Sequence, residues 1–335
     1  MRTILALGMA LLLGACAVAP LQQDPGTRER AQASYLRGIA LRDKGEHEGA
    51  ISAFDEVIRL EPRNVEAYTD RGYSRREKEL YDLALADFNE AIRLDPSFGR
   101  AYINRGYTWY VKQDYDRAIA DFDEAMRLDP PHPYYERGNA WYDKGDKDRA
   151  LADFTEAIRL GPAIVLAYLG RAKVWSDRGE HDRAVADYDE AIRLEPRNAL
   201  AYYGRGGEWY AKRDFARGVA DFYEVIRLDP RHVGAHSGAA WLLATAPDAA
   251  VRDGKRAVEM AHRACELTDW SSAYAIQTLS IAHAAAGSFA EAVRWLEEAL
   301  TFPDFAREAG DAARHRLALF RSGQPYREGV VEKPQ

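Results

Sequence analysis

The sequence predicts an all-α solenoid of stacked helical hairpins, and three observations carry that prediction. Six segments end on an Arg-Leu-x-Pro signature, at Arg59, Arg93, Arg127, Arg159, Arg193 and Arg227, so that prolines fall at 62, 96, 130, 162, 196 and 230 with a period of 34 residues and one contraction to 32. A period of this size marks a repeat architecture. Each period holds two apolar runs with helical spacing, separated by a short polar break such as Lys112-Gln113-Asp114-Tyr115-Asp116 or Lys144-Gly145-Asp146. Glycine and alanine recur at fixed offsets ahead of each proline, where two helix backbones must approach closely. A solenoid has no single enclosed core; its natural product is a long surface.

Taken in order, the first unit places Gly38, Gly45, Ala50, Phe54 and Val57 ahead of Pro62. The second gives Gly72, Leu80, Ala84, Phe88 and Ala91, and the third Tyr102, Gly106, Trp109, Ala118, Phe122 and Ala125. The fourth follows with Tyr134, Gly138, Trp141, Gly145, Ala150, Phe154 and Ala157. Unit five has Ala172 in place of Gly, with Tyr168, Trp175, Ala184, Tyr188 and Ala191; unit six has Gly218 where Ala is expected, with Tyr202, Gly206, Trp209, Phe222 and Val225. The proline stops each second helix because it can neither donate a backbone hydrogen bond nor fit behind the preceding turn. The ring in each second helix is expected to fill the space between one hairpin and the next, and Phe122→Ala is expected to cost about 3 to 5 kcal/mol.

This spacing resembles the tetratricopeptide repeat, whose pattern is an aromatic at position 4, Gly at 8, an aromatic at 11, Ala at 20, a large apolar residue at 24, Ala at 27 and Pro at 32. The resemblance implies a right-handed superhelical solenoid of about eight units plus a capping helix. Beyond Pro230 the repetition is degraded. His232 to Leu243 reads as a first helix, Ala244-Thr245-Ala246-Pro247-Asp248 breaks it, and after about five extra residues Ala257, Ala261 and Ala264 take the roles of positions 20, 24 and 27. Ser272 to Ala286 and Phe289 to Phe302 make an eighth hairpin with Ala292 and Ala299 at its tight positions, and a last helix near Phe305 to Phe320 caps the stack. The domains expected are therefore 31–230 for six regular units, 231–304 for two degenerate ones, and 305–335 for a cap and a frayed tail.

The opposite end reads as an export signal over residues 1–15. Arg2 supplies a charged start, and Ile4 to Leu13 supplies an apolar stretch of about ten residues, half of what a membrane-spanning helix needs. Leu13-Gly14-Ala15-Cys16 resembles the bacterial lipobox, which implies that Cys16 is lipidated and becomes the first residue of the mature chain. An ordinary cleavable signal is the alternative, but its second cleavage site precedes Pro20. Three acyl chains exceed the two membrane signals that stable anchoring takes. Ala17 in the next position implies the outer membrane, on its periplasmic face, and residues 16–30 read as a flexible tether. With Cys16 acylated, Cys265 is left as a lone, buried core thiol with no internal disulfide.

A net charge of −7 without a basic cluster argues against nucleic acid as a partner. Arg occupies position 7 in all six units (Arg37, Arg71, Arg105, Arg137, Arg171, Arg205) and Asp position 23 in five (Asp87, Asp121, Asp153, Asp187, Asp221). These are read as a structural ladder of exposed ion pairs, each contributing about 0 to 1 kcal/mol; an anion-binding Arg stripe is the alternative.

In tetratricopeptide proteins positions 2, 5, 9 and 12 of the first helices line a concave groove. The resemblance therefore implies a partner-binding groove lined by Tyr35, Tyr73, Tyr107, Tyr110, Tyr135, Tyr142, Tyr203 and Tyr210, with Asn104, Asn139 and Lys173. Tyrosine offers large contact area at low entropy cost, suited to a peptide or a partner helix. The family's carboxylate clamp finds only Asn104, Asn139 and Lys173 as candidates. No catalytic motif, cofactor or metal site is expected, although His232 and His236 sit four apart. The expected function is that of a lipid-anchored periplasmic scaffold recruiting envelope enzymes of peptidoglycan-hydrolase or protease type. An assembly factor for pilus, secretion or outer-membrane machinery is the alternative, and homodimerisation through an uncovered repeat end is left open.

Overall fold

The computed structural model describes residues 24–128 and 133–329, and within them it is built of 18 helices with no strand. The signal and lipidation expectations, Cys16 with them, lie outside the described residues. The chain forms two compact units that divide between His132 and Pro133. The first holds three hairpins: α1 (Pro25–Asp43) with α2 (His47–Leu60), α3 (Val65–Glu77) with α4 (Tyr81–Leu94), and α5 (Gly99–Val111) with α6 (Tyr115–Leu128). The second continues with α7 (Tyr134–Lys144) and α8 (Lys147–Leu160), α9 (Val165–Asp177) and α10 (His181–Leu194), and α11 (Ala199–Ala211) and α12 (Phe215–Leu228). It ends with α13 (Val233–Thr245), α14 (Gly254–Leu267), α15 (Ala273–Ala285), α16 (Phe289–Ala299), α17 (Pro303–Glu308) and α18 (Gly310–Arg321).

Two boundaries differ from expectation. Residues 25–30, expected as part of the tether, belong to α1, which starts at Pro25, a residue whose fixed φ and missing N–H suit the first helical turn. The single capping helix is two, broken at Ala309, where α17 ends and α18 begins.

Within a hairpin the ring of the second helix lies on the glycine of the first. A Cβ on Gly38 would come within 2.6 Å of the Phe54 ring, and one on Gly72 within 2.6 Å of Phe88. Gly106 and Phe122, Gly138 and Phe154, and Gly206 and Phe222 repeat the contact. Phe54, Phe88 and Phe122 are fully buried as a result. The turn between the two helices needs one residue in the left-handed region: Gly45, Gly145 and Gly179 supply it without strain, whereas Glu79, Gln113 and Arg213 adopt φ near +60° there.

The position 7 to position 23 ladder is present in five hairpins, each pair bidentate: Arg105 Nε and Nη2 donate to Asp121 at 2.9 and 2.7 Å, and Arg171 and Arg205 do the same to Asp187 and Asp221. Arg71 with Asp87 and Arg137 with Asp153 complete it. These pairs are not the exposed ones expected from the sequence. The five aspartates are buried, because the same close helix approach that the glycines permit also closes over them. Burial pushes the Asp87 and Asp121 carboxyls up, against the pull of their arginines.

The degenerate end is held by an unexpected element. Helix α13 ends at Thr245 ahead of Pro247, leaving its last carbonyls without helical donors. The Leu242 and Leu243 carbonyls accept from the Ala246 and Asp253 amides. Those of Ala244 and Thr245, both residues fully buried, accept from the Arg327 guanidinium at 2.8 Å and the Glu328 amide at 3.0 Å. Part of the expected frayed tail, Gln324 to Gly329, is therefore the C-cap of a helix some eighty residues earlier in the chain. Cys265 is fully buried, and burial pushes its thiol up to about 12.

Candidate functional site

Positions 2, 5, 9 and 12 of a first helix are spaced by three, four and three residues, so they share one helix face. The expected groove residues all lie on that face or beside it, but most are half-buried and engaged with one another.

In the first unit they form a continuous network. The Tyr35 hydroxyl donates to Asp70 Oδ2 at 2.7 Å, while Arg42 and Arg100 donate to Asp70 Oδ1 at 2.8 and 2.6 Å. Asp70 is buried at 2% exposure, which three charge-assisted or short bonds make tolerable. Burial first, and the Asp70 carboxylate second, push the Tyr35 hydroxyl up to about 12. The Arg76 guanidinium lies 4.7 Å from the Tyr73 ring centroid and 4.6 Å from that of Tyr107, sandwiched between successive hairpins. It also donates to Asn104 Oδ1 at 3.3 Å, and Tyr110 packs against both Tyr107 and Tyr115. Of these expected residues only Tyr107 is exposed, at 41%. Asp70, Arg42, Arg76 and Arg100 were missed in the sequence reading; the available signal was Arg at position 12 of the first two repeats and at position 2 of the third.

In the second unit the expected residues, among those described, engage separate partners. The Tyr142 hydroxyl donates to Asp177 at 2.7 Å, and Lys173 Nζ lies 4.4 Å over the Tyr142 ring. Burial and the Asp177 carboxylate raise the Tyr142 hydroxyl. Tyr135 and Tyr203 pack on the Phe154 and Phe222 rings of their own hairpins, and Asn139 is half-buried on α7. Tyr210 donates to Glu328 of the tail at 3.2 Å. The same face carries exposed apolar side chains that the sequence reading passed over: Leu166 at 51% and Leu200 at 64%, both at position 2, beside Tyr203. A recess of about 320 Å³ opens further along it, floored by Gly207 and Leu242.

His232 and His236 are structural. The His232 ring caps α13 by accepting the Ala235 amide at 3.1 Å, and His236 Nε2 bonds the Pro230 carbonyl. Among the described residues no cluster of three His, Cys, Asp or Glu side chains could hold a metal, and no helix is long and apolar enough to cross a membrane. The face offers rings, hydroxyls and exposed leucines, which is the chemistry of contact and orientation.

The model of the tetratricopeptide repeat matches residues 21–65, 69–133, 135–199 and 176–231, and a second model of the same repeat matches 272–302. Among solved structures the chain is similar to pilF of Pseudomonas aeruginosa, with TM-score 0.56 and 19% identity over 63% of this chain and 96% of that one. It is similar to the C-terminal part of a TPR repeat-containing protein from Cytophaga hutchinsonii, with TM-score 0.58 and 18% identity over 73% and 99%. A tetratricopeptide repeat protein from Parabacteroides merdae gives TM-score 0.51 and 17% identity over 88% and 99%. At such identities these likenesses show the fold alone. Comparison with curated proteins gives no match.

Proposed function

The chain belongs to the tetratricopeptide repeat family, whose matched segments span well over half of it, and on that premise we propose that it is a protein-binding scaffold that takes a partner segment on the first-helix face of its second unit. One observation carries the placement: Leu200 and Tyr203 are exposed one turn apart on α11, and Leu166 is exposed at the same repeat position of α9, so that apolar side chains recur on one face as they do at interaction sites. Lipidation at Cys16 would anchor this scaffold to the periplasmic side of the outer membrane and set it to recruit envelope enzymes.

The test is crosslinking in intact cells followed by affinity purification and mass spectrometry, comparing the wild type with a Leu166→Ser, Leu200→Ser, Tyr203→Ala variant. Partners lost from a variant of unchanged thermal stability support the reading, and unchanged partners contradict it. A soluble envelope hydrolase or protease among them supports recruitment; subunits of a membrane machine, with failed multimerisation in a deletion strain, replace recruitment with assembly. Mass spectrometry of the mature N-terminus decides the anchor. A triacylated Cys16 supports it, and a chain that retains residues 1–16 contradicts it.

A further inference from the structure

We propose that the recess over Gly207 is a specificity pocket that takes one large, uncharged apolar side chain of the partner segment. The inference rests on the scaffold reading and deepens it. Position 9 of the first helices is filled by Tyr73, Tyr107, Asn139, Lys173 and Trp241, yet in α11 it is Gly207. A Cβ built on Gly207 meets nothing within 4 Å, so the missing side chain leaves open space. That space is the recess, about 320 Å³, bounded by Tyr210, Trp241, Leu242 and Phe222 with Tyr274 of α15 at its far rim.

The lining sets the chemistry of the guest. None of the lining side chains is ionised, and the two polar ones nearest α15 are already engaged. Gln277 Oε1 accepts from Arg316 at 2.9 Å, and the Thr278 hydroxyl donates to the Tyr274 carbonyl at 2.9 Å. A charged guest would lose its hydration with no counter-charge among the lining side chains to offset that loss. A ring or a branched aliphatic group would instead exchange water for the faces of Tyr210, Trp241 and Leu242.

The walls are also held in place before any guest arrives. Tyr210 is fixed by Glu328, Tyr326 of the tail packs against Trp241 at 6.0 Å, and the Arg316 guanidinium lies over both Trp241 and Tyr326 at 5.5 and 4.7 Å. The tail thus cross-braces the recess while leaving it open, which lowers the ordering cost of binding. The non-helical segment Gln324 to Gly329 already touches two of the recess walls, through Tyr326 on Trp241 and Glu328 on Tyr210. Leu200, Tyr203, Gly207 and Tyr210 stand at positions 2, 5, 9 and 12 of one helix, so a segment that covers the exposed Leu200 and Tyr203 passes over the recess next.

The probes that test this are N-acetyl-L-tryptophanamide and N-acetyl-L-leucinamide, with N-acetyl-L-lysinamide as the charged control, titrated into the full chain by saturation-transfer NMR. Tryptophanamide should bind with a dissociation constant on the order of 0.1 to 1 mM for a ligand of its size, with intermolecular NOEs to the Leu242 methyls. Gly207→Leu fills the recess and should weaken it at least tenfold. That variant replaces a helix glycine in open space and should melt no lower than the wild type; if it misfolds, the wild-type NOEs alone decide. Glu328→Ala frees one wall and should weaken binding several-fold while leaving the NOE pattern in place. Tryptophanamide binding unchanged in Gly207→Leu, NOEs that locate it elsewhere, lysinamide binding as well as tryptophanamide, or no binding of either apolar probe would each overturn the pocket. None of these outcomes bears on whether the face takes a partner in cells, which the crosslinking comparison reads separately.

Discussion

In the first unit, position 6 of the first helices carries Leu36, Asp70 and Asn104; in the second it carries Glu136 in α7 and then Gly170, Gly204 and Gly238. Where the slot is polar it wires hairpin to hairpin: Asp70 gathers Tyr35, Arg42 and Arg100 from three successive first helices. Where it is glycine, the ring of the preceding hairpin seats against the next backbone. A Cβ on Gly170 would come within 2.7 Å of the Phe154 ring, and one on Gly238 within 2.8 Å of Phe222. Position 2 differs likewise, with Gln32, Glu66 and Arg100 in α1, α3 and α5 against Leu166 and Leu200 in α9 and α11. One repeat pattern thus yields, in α3 and α5, a first-helix face that spends its polar groups on itself and, in α9 and α11, one that leaves apolar groups exposed.

The ladder of arginine and aspartate is common to both units and should ignore this division. Arg105→Ala and Arg171→Ala each leave a buried aspartate without its bidentate partner, and each should cost about 3 to 5 kcal/mol in denaturant unfolding. A large difference between the two would mean that the units differ in more than their first-helix faces. Gly170→Asp imposes the first unit's residue on the second. With Phe154 buried and no arginine at the matching positions, where Tyr142 and Leu200 stand in place of Arg42 and Arg100, it should cost about 2 to 4 kcal/mol and accelerate amide exchange in α8 and α9.

The reverse exchange is milder. Asp70→Gly removes a shared acceptor from Tyr35, Arg42 and Arg100, but the arginines can turn to solvent, so about 1 to 3 kcal/mol is expected. Spectrophotometric titration should show the Tyr35 hydroxyl falling part of the way from about 12 toward its ordinary value, since burial, the larger cause, remains. Gln113→Gly should stabilise the first unit by up to about 1 kcal/mol by relieving a left-handed glutamine, and Gly179→Gln should destabilise the second by a similar amount.

The repeat logic was legible because it is local. Prolines, tight glycines and buried rings each act within one period, and the helix bounds follow them closely. The Arg to Asp ladder was legible as a pairing, but not as a buried one, since burial depends on how closely the glycines let the helices approach. The face itself was only partly legible. Tyr35, Tyr73 and Tyr107 could be placed by position, but their engagement depends on Asp70, Arg76 and Arg100 in neighbouring repeats. The tail was opaque for the same reason at longer range: Arg327 and Glu328 find the open carbonyls of α13 across more than eighty residues, and no periodic signal announces that contact.

The central claim is that a partner docks on the apolar first-helix face of the second unit. Benzoylphenylalanine placed singly at residues 203, 107 and 83 in living cells tests it directly, because Tyr203 lies on that face, Tyr107 on the polar face of the first unit, and Leu83 on a second helix, all three exposed. The account predicts a protein adduct on irradiation from residue 203, weaker or none from 107, and none from 83. Adducts from 107 or 83 with none from 203 would contradict it.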